Sequence, residues 1–292
     1  MSRCDPFAAW RPLPQGFRYA VPHAESRAGC YNQALFITSV LNMLAIIGGS
    51  GLTQLSNLDV SHQKVVRTPY GEPSGALSFG RIGNQEVVFL ARHGFGHTIP
   101  PHLVNYRANI WALSQGAGAT RIVSVASVGG IRADLVPGSL VIPHQLIDYT
   151  WGRTSTYYDG QDAPVVHIDF TRPYDEELRQ TLLAAAKRAG VAVGDGAVYA
   201  VSQGPRLETA AEITRFERDG ADIVGMTGMP EAALAREAGL PYAAISVVAN
   251  WAAGRVDSAQ AISFENLETV LQKAMGSVRS VIEHLCESGV CH

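Results

Sequence analysis

The sequence predicts an α/β fold with a mainly parallel or mixed β-sheet that is covered by helices on both faces. Short apolar runs recur along the chain, and segments with helical periodicity fall between several of them. The 292 residues suffice for one domain with a large core, and 47% of them are hydrophobic. Because no internal repeat or low-complexity linker divides the chain, one domain is the simplest organisation.

The apolar runs are β-rich and apolar on both faces, which is typical of strands in the middle of a covered sheet. Strands are predicted over 44–47, 87–90, 121–126, 139–142, 197–201, 223–226 and 242–247. Helices are predicted over 104–116, 173–189, 207–219, 231–238 and 264–285. The apolar residues of the last helix form nearly a single stripe, as expected of a helix that packs on a core.

The first 42 residues contain Pro, Arg, Trp and Cys without a helical or strand period. We expect residues 1–42 to be an N-terminal extension, either disordered or a non-native start, followed by a domain over 43–285 and a tail over 286–292. A signal peptide with 34–44 as its apolar part is the other interpretation. It fits less well, because that part runs directly into the first strand without a small-residue cleavage site.

Composition argues against several classes of protein. The net charge is −3 and no Lys/Arg-rich block is present, so the basic stripe needed to bind a nucleic-acid backbone is missing. No apolar run reaches the length of a membrane span. The four cysteines stand at positions 4, 30, 286 and 291, so residues 43–285 offer no disulfide, thiolate metal site or catalytic cysteine. We expect a cytoplasmic enzyme that acts on a small molecule.

Several predicted strand ends carry groups that bind oxyanions. A glycine turn with Ser50 follows the first strand, Arg92 and His93 follow the second, and a third turn contains Ala126 and Ser127. Thr227 follows a fourth strand. Arginine offers a planar fork that suits two phosphate oxygens, and histidine adds a titratable donor. Since phosphate needs donors from several directions, these residues predict a phosphate site, although each turn alone could be ordinary turn chemistry.

Other ligands fit these motifs less well. The Gly48–Ser50 turn is neither a Walker loop, since no Gly-Lys-Ser/Thr follows, nor a dinucleotide fingerprint, since its glycine spacing fails. Metal binding by His93, His97 and His102 would lack a carboxylate at ligand spacing and would place the metal beside the Arg92 cation. We therefore predict no metal site.

The motifs Ile-Ile-Gly-Gly-Ser-Gly-Leu, Ala-Arg-His-Gly-x-x-His-Thr-Ile, Val-Asn-Tyr-Arg-Ala-Asn-Ile-Trp-Ala-Leu, Gln-Gly-Pro-Arg-Leu-Glu-Thr-Ala-Ala-Glu and Gly-Met-Thr-Gly-Met-Pro-Glu-Ala run from Met43 to about Leu285. With them the chain resembles the purine nucleoside phosphorylase superfamily, in its branch of methylthioadenosine and methylthioinosine phosphorylases. The resemblance implies a mixed twisted sheet surrounded by helices, a homotrimer, and cleavage of purine nucleosides by inorganic phosphate without a metal or organic cofactor.

The resemblance also assigns roles to residues. It places Ser50, Arg92, His93, Ala126, Ser127 and Thr227 at the phosphate, although the family often has Thr where Ala126 stands. It places Met226 under the ribose and base, and Asn250, Trp251 and Ala252 on the base-binding segment. Arg92, His93 and Asn250 are the predicted catalytic residues, because phosphate must be held beside a cationic ribosyl group while a donor stabilises N7 of the departing purine.

The base-binding segment predicts a 6-oxopurine. Family members that act on methylthioadenosine carry two aspartates there, whereas this chain has Asn250 and Ala252. The Asn250 amide nitrogen can donate to N7 and to a 6-oxo oxygen, and Ala252 removes the second acceptor for a 6-amino group. Mispairing a buried polar group costs about 1–3 kcal/mol, so the expected preference is one to two decades. Alternatively, Asn250 only holds a loop.

The 5′ group is harder to read from residues alone. Leu207, Glu208 and Phe264 are the predicted specificity residues, and Leu267 could also line an apolar 5′ pocket or pack on the core. We expect S-methyl-5′-thioinosine as substrate, cleaved to hypoxanthine and 5-(methylthio)ribose 1-phosphate in purine salvage. The alternatives are inosine/guanosine phosphorylase, methylthioadenosine phosphorylase and a non-catalytic nucleoside-binding protein.

Overall fold

Eleven β-strands form one mixed sheet within residues 42–160 and 164–287, which are the residues that the computed structural model describes. In chain order they are β1 Met43–Gly48, β2 Asp59–Lys64, β3 Leu77–Ile82, β4 Gln85–Ala91, β5 Ala119–Gly130, β6 Leu140–Ile142, β7 Gln145–Asp148, β8 Val193–Asp195, β9 Val198–Val201, β10 Ile223–Gly225 and β11 Tyr242–Trp251. The spatial order is β2-β3-β4-β1-β5-β10-β9-β7, while β11 pairs with β5 and β6, and β6 pairs with β8.

Five α-helices surround the described sheet. They are α1 Tyr106–Trp111, α2 Glu176–Arg188, α3 Ala210–Arg218, α4 Gly228–Glu237 and α5 Phe264–Glu287. Side-chain caps mark three of their starts: Asn105 accepts from the Ala108 amide, Asp175 accepts from the Leu178 amide, and Thr209 forms a capping box with Glu212. None of the helices in the described residues has the length and apolar character needed to pass through a bilayer.

Alternating residues of β1 enter two separate cores, because successive side chains of a strand point to opposite faces. Leu44 and Ile46 pack with residues of α2 and α5, whereas Ala45 and Ile47 pack with residues of α1 and α4. The prediction of a mixed sheet with helices on both faces is therefore confirmed. The described residues lie in one compact unit, Val40–His292, and all of the predicted extension except Asn42 falls outside them.

All seven predicted strands are present, and four further strands were not predicted. Every residue of β2 is exposed, so this edge strand, Asp-Val-Ser-His-Gln-Lys, has no hydrophobic signal. The strand β3 contains Gly80, and no residue of β7 or β8 is buried. Hydrophobic periodicity detects buried strands, including the three-residue strands β6 and β10, and misses exposed ones.

The sheet brings five strand ends to one edge. Strands β1, β4, β5 and β11 are parallel neighbours, so their carboxyl ends meet there. Strand β10 runs antiparallel to β5, with Ile223 opposite Gly130 and Val224 opposite Gly129. The carboxyl end of β10 therefore points back along β5, towards the middle of that strand. A side chain at Gly49 would lie 2.6 Å from the Val125 oxygen, so glycine is required where β1 passes β5.

Candidate active site

A cavity of about 520 Å³ opens at this edge of the sheet. Each of the five strand ends contributes to its wall, together with the loop before α3 and the segment that leads into α5. The predicted site residues that line it are Ser50, Arg92, His93, Ala126, Ser127, Leu207, Glu208, Met226, Thr227, Asn250 and Ala252. Residues up to 202 positions apart in the chain are thereby collected in one place.

Two predicted residues are not placed in this cavity. Trp251 lines a separate cavity with Arg132 and Arg255. The resemblance assigns the whole segment to the base, whereas the structure places Trp251 outside the cavity that Asn250 and Ala252 line. Phe264 begins α5, and its side chain lies outside the part of the chain that the structure describes.

Arg92 is fully buried, and protein acceptors occupy most of its guanidinium hydrogens. Nε and Nη2 donate to the two carboxylate oxygens of Glu231 at 2.6 and 2.8 Å. Nη2 also donates to Ser124 Oγ at 2.8 Å, and Nη1 donates to the Val125 carbonyl oxygen at 3.0 Å. Of the five guanidinium hydrogens, one on Nη1 remains for a ligand. Arg92 can therefore donate one hydrogen to a phosphate oxygen, rather than the two that the sequence predicts.

Glu231 belongs to the first turn of α4, and its side chain is 1% exposed. Tyr242 Oη donates to Glu231 Oε1 at 2.8 Å and so adds a second partner to that oxygen. Burial alone would lower the pKa of Arg92, but the Glu231 carboxylate outweighs burial and raises it. The result is a buried ion pair in which the Glu231 carboxylate neutralises the charge of Arg92.

His93 is a neutral acceptor in this arrangement. Its Nδ1 lies 2.8 Å from the Ile99 carbonyl oxygen, which can only accept, so Nδ1 carries the hydrogen. Burial and the nearby Arg92 charge lower the pKa of His93 to about 4. At neutral pH its Nε2 therefore carries a lone pair rather than a hydrogen. The ring of His97 packs against His93 with 4.4 Å between centroids, and burial likewise lowers the pKa of His97.

The opposite part of the cavity wall carries groups that suit a base edge. Glu208 is half-buried and accepts a hydrogen bond from Ser202 Oγ, and burial raises the pKa of Glu208. The Asn250 amide nitrogen donates to the Trp251 carbonyl oxygen at 2.6 Å, which holds this side chain beside the cavity. Within residues 42–160 and 164–287, Glu208 is the one carboxylate that lines the cavity.

Apolar side chains complete the wall. Leu207 and Pro205 come from the loop before α3, and Leu267 comes from the first turns of α5. Ile262, just before α5, was not predicted and also lines the cavity. The wall therefore combines anion donors, base-edge groups and an apolar surface.

Sequence reasoning missed the buried half of the site. The sequence pattern identifies Glu231 only as the start of a helix, although a lone carboxylate within the apolar run Gly-Met-Pro-Glu-Ala-Ala-Leu-Ala is a signal for a buried partner. Tyr242 and Ser124 gave no signal, since strand residues facing a cavity or a core look alike in sequence. The described residues contain no cluster of three or more His, Cys, Asp or Glu side chains that could hold a metal ion.

Comparison with known proteins agrees with this geometry. The sequence model of the Phosphorylase superfamily matches residues 43–287. A probable S-methyl-5′-thioinosine phosphorylase from Pseudomonas syringae pv. tomato is 52% identical over 242 residues, which cover 83% of this chain and 97% of that protein. A 6-oxopurine nucleoside phosphorylase from Pyrococcus furiosus is 42% identical over 244 residues, which cover 82% and 90%.

A solved structure shows the same architecture. Methylthioadenosine phosphorylase from Schistosoma mansoni, in complex with adenine, superposes with a TM-score of 0.80 at 33% sequence identity. The superposition covers 84% of this chain and 91% of that one. Because the family pattern extends from the first strand to the end of the last helix and the relatives match over most of their length, the chain belongs to the phosphorylase superfamily.

Proposed function

We propose that this chain cleaves S-methyl-5′-thioinosine with inorganic phosphate and releases hypoxanthine and 5-(methylthio)ribose 1-phosphate. The observation that carries the proposal is that one cavity combines the anion donors with Asn250 and Glu208. Relatives about 52% identical bear the name of this activity. The proposed reaction needs phosphate as co-substrate and no metal or organic cofactor.

The proposed role of the first group of residues is to hold phosphate. Ser50, Ser127 and Thr227 offer hydroxyl donors, and Arg92 adds the one remaining hydrogen on Nη1. The neutral His93 accepts through Nε2, so it pairs with the hydroxyl of a hydrogenphosphate ion. Phosphate held in this way lies beside the anomeric carbon while the glycosidic bond breaks, and its negative charge stabilises the cationic ribosyl group.

The second group of residues fits a 6-oxopurine. Hypoxanthine presents a donor at N1 and acceptors at O6 and N7, whereas adenine presents an acceptor at N1 and a donor at its 6-amino group. An ionised Glu208 accepts from N1–H. The Asn250 amide nitrogen has one hydrogen on the Trp251 carbonyl oxygen and donates the other to O6. With adenine, the carboxylate of Glu208 would face the N1 lone pair. Ala252 provides no acceptor for the amino group.

The apolar wall favours a methylthio group over a 5′-hydroxyl. Ile262 and Leu267 line the cavity and offer no hydrogen-bond partner to a hydroxyl. Removing a hydroxyl from water without a partner costs about 1–3 kcal/mol in proteins, whereas burying a methylthio group is favourable. We therefore propose that these two side chains contact the 5′ substituent.

The test is a substrate panel followed by release of free base, with and without phosphate. S-methyl-5′-thioinosine should be cleaved in the presence of phosphate, with kcat/KM at least tenfold above inosine and above S-methyl-5′-thioadenosine, which corresponds to about 1.4 kcal/mol. An Ile262→Ser variant should lose selectivity for the methylthio group and keep its preference for the 6-oxo base. Equal or faster turnover of inosine would contradict the 5′ assignment.

A 6-oxopurine nucleoside phosphorylase that prefers a 5′-hydroxyl is the second candidate. It is favoured by the relative of that name from Pyrococcus furiosus. The same panel separates the two, since they differ only in the response to the 5′ substituent. The homotrimer and the cytoplasmic location stay predictions of the sequence.

A further inference from the structure

Arg153 lies behind the cavity wall and joins separate parts of it. Its Nη1 donates to the carbonyl oxygens of Met226 at 2.8 Å and Met229 at 2.6 Å. Its Nη2 donates to the carbonyl oxygen of Gln203 at 2.7 Å, and Nε lies 3.2 Å from the side-chain oxygen of the same glutamine. One guanidinium thus binds the segments that follow two strands, β9 and β10.

The surroundings of Arg153 are unusual for a charged group. Within the described ranges, no carboxylate lies within ion-pair distance of its guanidinium, and all of its hydrogen-bond acceptors are carbonyl or hydroxyl oxygens. Its guanidinium carbon lies 5.5 Å from the centroid of the Tyr106 ring. Tyr106 Oη donates to the Pro101 carbonyl oxygen at 2.9 Å, and Pro101 lines the cavity, so a third segment of the wall is connected.

The segments that Arg153 holds are those that carry site residues. Met226 and Thr227 follow β10, and the loop that begins at Gln203 leads to Glu208. These two segments pack closely, since a side chain at Gly204 would lie 2.5 Å from the Met226 sulfur. Arg153 itself does not line the cavity. Its position can therefore affect substrates only through the residues that it orients.

We propose that Arg153 is a positioning residue that fixes Thr227 and Met226 relative to Glu208. It thereby fixes the distances between the groups that contact phosphate, ribose and base. This inference rests on the proposed function for the roles of those three residues. A planar fork with five hydrogens can serve carbonyls in several directions at once, whereas a lysine offers three hydrogens from one point. Lysine is therefore a poor substitute here.

The experiment compares Arg153→Ala, Arg153→Lys and a matched control, Arg107→Ala. Arg107 is also half-buried, stacks on a tyrosine ring at 4.9 Å and pairs with Asp159 at 3.6 Å, but touches neither strand end. Since a misplacement of 1 Å can reduce a rate by about 10²-fold, we expect a loss of that size in kcat/KM for Arg153→Ala. KM should rise for both phosphate and nucleoside, Arg153→Lys should recover only part of the loss, and Arg107→Ala should stay near wild type.

Two further measurements separate positioning from simple stability. Kinetics are recorded well below each variant's Tm. Added guanidinium at non-denaturing concentration should restore part of the activity of Arg153→Ala and leave the activity of Arg107→Ala unchanged. A lower Tm with unchanged kcat/KM and KM would overturn the proposal. Affinity for inorganic phosphate alone is measured too, and should fall in Arg153→Ala. If wild type turns over no nucleoside, the proposed function fails, while unchanged phosphate affinity in the variant refutes the role of Arg153 independently.

Discussion

Replacing Glu231 with glutamine tests the idea that the Glu231 carboxylate neutralises the charge of Arg92. The two side chains are 0% and 1% exposed and meet through contacts of 2.6 and 2.8 Å. Glutamine can keep one acceptor for Nη2 and Tyr242, but it places an amide N–H against the Arg92 Nε–H or loses that bond. Breaking a buried pair by removing one charge costs about 3–5 kcal/mol, because the other charge is left unpaired. For a domain of this size that corresponds to a Tm lower by roughly 6–20 °C.

The same substitution should have opposite effects on phosphate affinity and on catalysis. With Glu231 neutral, the Arg92 cation is available to the bound anion, so phosphate should raise Tm more in Glu231→Gln than in wild type at equal concentration. A phosphate held by an uncompensated cation stabilises the ribosyl cation less, and kcat should fall by about tenfold, or 1.4 kcal/mol. The assay combines thermal melts over a phosphate titration with steady-state kinetics.

Glu212→Gln is the matched control, since Glu212 also receives two hydrogen bonds from one arginine, Arg206, but at the surface. Exposed pairs of this kind contribute about 0–1 kcal/mol, so Tm should change little and the phosphate response should not change. If Glu231→Gln does not fold, Tyr242→Phe removes one bond to the same carboxylate without removing its charge. If phosphate raised Tm equally in Glu231→Gln and wild type, and kcat did not change, Glu231 would not control the charge that Arg92 presents to phosphate.

The remaining predictions concern the base edge and His93. Asn250→Asp replaces the donor to O6 by an acceptor, so the ratio of kcat/KM for S-methyl-5′-thioinosine over S-methyl-5′-thioadenosine should fall by about 10–100-fold, measured on the substrate panel. Because burial raises the pKa of Glu208, the 6-oxo preference of wild type should increase with pH as this carboxyl ionises, and a Glu208→Gln variant whose preference still followed pH would contradict that role. For His93, the folded pKa of about 4 lies below the unfolded value of 6.5, so the unfolded chain binds more protons between these pH values and stability falls as pH falls through this range. Urea unfolding of His93→Gln over the same range should show a flatter pH dependence than wild type.

The sequence predicts the parts of this protein that depend on local pattern. The central strands were visible because both of their faces are buried, and the strand ends carried their glycines and hydroxyls in recognisable phrases. Parallel pairing then brings Ser50, Arg92, Ala126 and Asn250 to one edge of the sheet. That step needs only the fold class, which is why most predicted site residues line one cavity.

The parts that could not be predicted depend on distances that no local pattern encodes. Arg92 and Glu231 are 139 positions apart, and nothing near Arg92 in sequence shows that its fork is occupied. The hydrogen on His93 is fixed by the Ile99 carbonyl, which a turn brings to 2.8 Å. The sequence can therefore predict that a polar residue lies in the site, but its hydrogen-bonding role has to be read from the folded structure.

The charge state of the anion site explains why an enzyme of this kind would bury a carboxylate behind its arginine. Two free cations would bind phosphate tightly in the ground state, but they would also neutralise the charge that must stabilise the ribosyl cation. Here the Arg92 charge is offset by Glu231, and His93 is neutral because burial and Arg92 lower its pKa. In the proposed reaction, phosphate would then be held mainly by hydroxyl donors and one guanidinium hydrogen, and much of its negative charge would remain available. Because catalysis depends on interactions that strengthen in the transition state, weaker ground-state binding of phosphate in this cavity favours a faster chemical step.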